Sequence, residues 1–92
     1  MIRSTKQLPI VRALLKEGET SKDWINVKGI AGQYGLDYYN TLHFVSKLAT
    51  NEYMARRVIK GRQKSPYDYK FIGDGLSKLS QEYMGIVSGE SE

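Results

Sequence analysis

The sequence predicts an α+β fold in which amphipathic helices pack around a short β-hairpin, and three observations predict it. Apolar residues recur at spacings of three and four over residues 5–17, 27–34, 38–50 and 74–87, the period of a helix with one buried face. Between the third and fourth of these, two β-forming runs, 53–60 and 67–72, flank a loop containing Gly61, Ser65 and Pro66, which is hairpin chemistry. The chain has 92 residues, 40% of them apolar, enough for one hydrophobic core and too few for two. Residues 1–92 are therefore expected to form a single domain.

Each element has a local cause. Leu8, Val11, Leu14 and Leu15 share one face of the first helix, Pro9 suits its first turn, and Gly18 is expected to end it in a left-handed C-terminal position. Residues 19–23 form a polar loop. The stretch Trp24-Ile25-Asn26-Val27 is β-forming but too short to stand alone, so it is expected to join the edge of a sheet made elsewhere. Asn26 is a candidate N-cap for a second helix of about two turns carrying Ile30, Ala31 and Tyr34, with Gly35 at its end. Asp37 then caps a third helix whose inner face is Thr41, Phe44, Val45 and Leu48. Two helices joined by so tight a turn, with a glycine in it, must cross steeply, as in a helix-turn-helix. In the hairpin, Tyr67, Tyr69 and Phe71 alternate onto one face. The last helix aligns Leu76, Leu79, Tyr83, Ile86 and Val87, and residues 88–92 are expected to fray.

The composition excludes several classes. Without cysteine there is no disulfide framework, thiolate catalysis or Cys-based zinc site, and the lone His43 makes no cluster. The sequence has no phosphate-binding GxxxxGK[ST] loop, no GxSxG elbow and no HExxH, and its carboxylates are scattered rather than paired for acid–base work, so no enzyme activity and no cofactor or metal are expected. No apolar run reaches the ~18 residues of a membrane span, and the N-terminal stretch does not read as a signal peptide. A cytoplasmic protein is expected, with no membrane partner and no evident small-molecule ligand.

The element order resembles the winged helix-turn-helix domain. The stretch Ile30-Ala31-Gly32-Gln33-Tyr34-Gly35-Leu36-Asp37 is similar to that family's turn signature. Thr41, Phe44, Val45 and Leu48 fall where small MarR-like bacterial and archaeal transcription regulators keep the buried face of the recognition helix. Glu52-Tyr53-Met54-Ala55-Arg56 resembles the run into the wing, and Tyr69-Lys70-Phe71-Ile72-Gly73-Asp74-Gly75 its exit; the likeness spans about residues 7–84. Three positions depart from the pattern: Thr41 replaces a larger aliphatic, Glu52 stands where glycine is usual, and Ile72 replaces a capping Ser or Thr. The resemblance implies a DNA-binding transcription regulator. A stripe such as Leu76, Leu79, Tyr83, Ile86 and Val87 is ordinarily core, but the first and last helices offer more apolar surface than so small a core covers, and the resemblance implies a homodimer through them, with these residues at the interface and recognition helices ~34 Å apart.

Surface chemistry points the same way. With the inner face of the third helix committed to the core, Tyr38, Tyr39, Asn40, His43, Ser46 and Lys47 are left on the other side. Tyr38, Tyr39, Asn40 and His43 are candidate base contacts for a recognition helix over residues 37–50 in the major groove. The net charge is +4, yet residues 54–70 alone carry +5, from Arg56, Arg57, Lys60, Arg62, Lys64 and Lys70 against Asp68. A basic wing over residues 56–70 is what phosphate contact requires, and Arg56, Arg57, Lys60, Arg62 and Lys64, with Lys28 and Lys47 flanking, are its candidates. Charged hairpin edges also prevent aggregation between sheets. A winged helix can equally serve as a protein-interaction module in a transcription or replication assembly, and exposed tyrosines can stack on RNA bases, so both remain alternatives to sequence-specific binding of double-stranded DNA.

Overall fold

A computed structural model describes residues 1–20, 23–62 and 66–90. After a single 3₁₀ turn, the elements are α1 (Leu8–Thr20), β1 (Ile25–Asn26), α2 (Val27–Tyr34), α3 (Tyr38–Thr50), β2 (Met54–Val58), β3 (Tyr67–Phe71) and α4 (Gly75–Glu90). The three strands form an antiparallel sheet in the order β1-β3-β2. This is the winged helix-turn-helix arrangement: α2 and α3 with a three-residue turn, the β2–β3 hairpin as wing, and α4 closing the domain.

The helix-turn-helix is set by local chemistry. Asn26 caps α2 by accepting from the Gly29 amide, and Gly35, at φ 65°, takes the left-handed position that ends it, its amide bonded to the Ala31 carbonyl. Asp37 caps α3 by accepting from the Asn40 amide at 2.8 Å. Thr41 is fully buried, and its hydroxyl donates to the Asp37 carbonyl at 2.7 Å, which satisfies the polar atom that a larger aliphatic would lack. Phe44, Val45 and Leu48 sit beside it in the core with Val11, Leu14, Val27, Met54, Tyr69 and Leu79. Ile25 pairs with Tyr69, so β1 is the short sheet edge that its length allows.

One expectation fails. Gly18 does not end the first helix, which runs on to Thr20. A Cβ at Gly18 would lie 2.7 Å from Leu76 Cδ1 and 3.2 Å from Phe71 Cδ2, so the glycine serves close packing of α1 on α4 and the sheet. At the other end of the chain, α4 continues to Glu90.

Glu52 is the one non-glycine residue with positive φ among the described residues, at 65°. It stands in the turn between α3 and β2, where its Cβ opposes the left-handed backbone at a cost of roughly 1–2 kcal/mol. Glu52→Gly is therefore expected to raise stability by about 1 kcal/mol after the entropy of glycine is deducted, a gain of about 4–8 °C in a thermal melt. An unchanged or lower melting temperature would show that the glutamate side chain compensates the strain.

Candidate nucleic-acid interface

The outer face of α3 follows from its inner one. With Thr41, Phe44, Val45 and Leu48 buried, the helical period leaves Tyr39, Asn40, His43 and Lys47 exposed along one side, Tyr39 at 75%. The Asp37 cap anchors the first turn, so Tyr39 and Asn40 project from fixed backbone. Tyr38 is half-buried against the core, with its ring edge-on to Tyr39 at 5.2 Å between centroids. Ser46 turns inward, its hydroxyl 3.4 Å from that of the buried Tyr69. Of the residues singled out for base contact, Tyr39, Asn40 and His43 share the exposed face and Tyr38 lies at its rim.

Lys47 lies farther along the helix. It lines a polar cavity of about 430 Å³ with Met1, Arg3, Thr50, Asn51 and Tyr53, which adds Arg3 to the cations near this face. Nothing in the spacing of residues 1–7 pairs Arg3 with Lys47; the packing of the N-terminal segment does so. Lys28, in the first turn of α2, is exposed.

The wing cations are not equivalent. Cross-strand partners share a face of the sheet, and the register pairs Arg57 with Asp68 and Asn26 with Asp68. Asp68, 6% exposed, accepts from Arg62 Nη1 at 2.8 Å, from Asn26 Nδ2 at 3.3 Å and from Arg57 Nη2 at 3.5 Å. Burial pushes the Asp68 carboxyl up. The hydrogen bonds from Arg62 and Asn26, the Arg62 charge and the Arg57 hydrogen bond outweigh that effect and hold it below its ordinary value. Arg57 also stacks at 4.5 Å over Trp24, with the Lys70 ammonium 5.9 Å from the same ring. Arg56 stacks at 4.5 Å over Tyr67 on the hairpin itself. Lys60 is exposed, and Lys28, Lys47 and Lys60 have no ion-pair partner among the described residues. Lys64 lies outside the described residues.

Sequence reasoning missed Asp68 as a buried hub and Trp24 as a platform. The visible signal was a lone acid inside a run of six cations; what it holds depends on strand register.

The stripe on α4 requires a correction. Leu79 is fully buried in the chain's own core, because α4 lies against α1 and the sheet, so it is not available to a second copy. Leu76 packs over Gly18, and Tyr83 accepts a hydrogen bond from Arg12 Nε at 3.0 Å. Ile86 and Val87 remain half-buried and Met84 is 58% exposed. Nearer the start of the helix, Glu82 joins the N-terminal amine at 2.8 Å and Tyr53 at 2.7 Å.

Among the described residues, no group of three or more His, Asp or Glu could hold a metal ion, and no helix is long and apolar enough to cross a membrane. No protein-family model matches the chain, and no curated protein matches it in sequence. A solved structure from Methanosarcina mazei Go1, named "Possible transcriptional regulator", is similar in fold. It is 19% identical with a TM-score of 0.56, over 96% of this chain and 76% of that one.

Proposed function

We propose that the protein binds double-stranded DNA and acts as a transcription regulator, with α3 in the major groove and the β2–β3 wing on the phosphate backbone. The observation that carries this reading is the exposed face of α3. It presents an aromatic, an amide, an imidazole and an ammonium group from a capped and buried helix, the side-chain chemistry that reads base edges and phosphates. Asn40 suits a bidentate contact to adenine, His43 a donor to a guanine acceptor, and Tyr38 and Tyr39 a phosphate or a thymine methyl. Lys28, Lys47, Arg56 and Lys60 grip phosphates, with Lys64 as a further candidate. The name of the similar Methanosarcina protein agrees with this reading, which carries with it a cytoplasmic location. The apolar end of α4, with Met84, Ile86 and Val87, is where a second copy would dock to form a homodimer.

The test is a fluorescence-anisotropy titration of labelled random-sequence duplex, single-stranded DNA and RNA at several salt concentrations. Duplex should bind best, with log K falling by about 0.9 per phosphate contacted for each decade of salt. Binding of none of the three at low salt would overturn the reading and favour a protein-docking role; preference for RNA would transfer the tyrosine face to base stacking. Once a preferred sequence has been selected, Asn40→Ala is expected to cost about 1–3 kcal/mol of discrimination at one base position while leaving the salt slope unchanged. Equal loss on all sequences would make Asn40 a backbone contact instead.

A further inference from the structure

One hydrogen-bonded chain crosses from the helix-turn-helix to the wing. Asn26 Oδ1 accepts from the Gly29 amide at 2.9 Å and so caps α2, while its Nδ2 donates to Asp68 Oδ1 at 3.3 Å. The same carboxylate holds Arg62 through Oδ1 at 2.8 Å and Arg57 through Oδ2 at 3.5 Å. The side chain of Asp68 is 8% exposed, whereas those of Arg57 and Arg62 are 48% and 36% exposed. A buried anion thus lies beneath two surface guanidinium groups and is tied through one amide to the first turn of α2.

We propose that Asp68 is a positioning residue that restrains the wing arginines and sets how much sequence-independent charge the wing offers to DNA. This rests on the DNA-binding reading above. An arginine already paired with a buried carboxylate gains less from a phosphate, because leaving would strip a buried charge of its partner. Arg57 and Arg62 therefore add little to counterion release, which falls to Lys28, Lys47, Arg56 and Lys60. Holding back non-specific affinity raises the ratio of specific to non-specific binding, the quantity that matters against a genome of competing sites. The Asn26 link adds a geometric role, since it fixes the base of the hairpin to the helix that precedes α3.

The experiment is the salt series of duplex titrations on three forms of the full chain: unaltered, Asp68→Asn, and Arg57→Gln with Arg62→Gln. Asparagine keeps the shape and one acceptor of Asp68 and removes its charge. It is expected to release both arginines from the carboxylate, steepen the salt slope by about 0.9 for each new phosphate contact, and tighten binding to random duplex by about tenfold or more at low salt. The double glutamine variant keeps hydrogen-bond donors over Asp68 and is expected to leave the slope of the otherwise native chain within about half a contact. A merely structural role for Asp68 would weaken binding without steepening the slope. If Asp68→Asn does not fold, the double variant decides alone. A slope shallower by about 1.8 would show that both arginines already contact phosphate and would overturn the proposal. Duplex binding by the unaltered chain with no change in slope for Asp68→Asn would overturn it equally. No binding by the unaltered chain would overturn the DNA-binding reading, and the proposal with it.

Discussion

Gly75→Ala is expected to destabilise the fold by about 3 kcal/mol or more, beyond the ordinary range for an overpacked site. A Cβ at Gly75 would lie 2.7 Å from the Tyr53 carbonyl carbon and 2.8 Å from the Tyr53 Cα. Those atoms are backbone and are held from two sides, since the Tyr53 amide donates to the Leu48 carbonyl at 2.9 Å and its carbonyl accepts from the Ile72 amide at 3.2 Å. The strain must therefore be relieved by lifting the start of α4 away from Tyr53, the residue that leads into β2. That movement pulls on the fully buried Leu79 and on the 2.7 Å hydrogen bond from Tyr53 to Glu82. In a domain of this size the loss corresponds to about 12–24 °C in melting temperature. Gly85 is the control, because the space around it in the same helix is open, and Gly85→Ala should leave stability unchanged or raise it by up to about 1 kcal/mol. Equal melting temperatures for the two variants would show that α4 does not approach Tyr53 this closely.

The second large effect is on binding. Changing Lys28, Lys47 and Lys60 together to alanine should reduce the salt slope of duplex binding by about 2.7 and weaken affinity on the order of 10²-fold near 0.1 M salt, alike for all sequences. The three ammonium groups are exposed and have no ion-pair partner among the described residues, so the melting temperature should stay within a few degrees of the unaltered chain. Loss of affinity with the slope intact would mean that these lysines act through structure rather than by neutralising phosphates. An unaltered isotherm would remove them from the interface.

Local chemistry made the helix-turn-helix legible. Asn26, Asp37 and Gly35 act on backbone groups three or four residues away, so their caps follow from sequence alone. Glu52 was legible as a departure from the glycine usual in the domains that the sequence resembles, but its φ of 65° came only from the structure. Gly18 was misread because the same residue can end a helix or admit a neighbour. The choice rests on Leu76 and Phe71, more than fifty residues away. On the exposed face of α3, Tyr39, Asn40, His43 and Lys47 came from the helical period, whereas the inward turn of Ser46 came from the position of Tyr69.

By itself the sequence determined the α+β class, the order of elements, the caps that join α2 to α3 and the inner faces of α1, α2 and α3, because those depend on period and on neighbours along the chain. The tertiary structure alone decided which cations of the wing are restrained. Asp68 meets Asn26 across 42 positions and Arg57 across 11, contacts that exist only once β3 lies between β1 and β2 in one register. A slip of one residue would turn Asp68 to the opposite face and part it from both arginines.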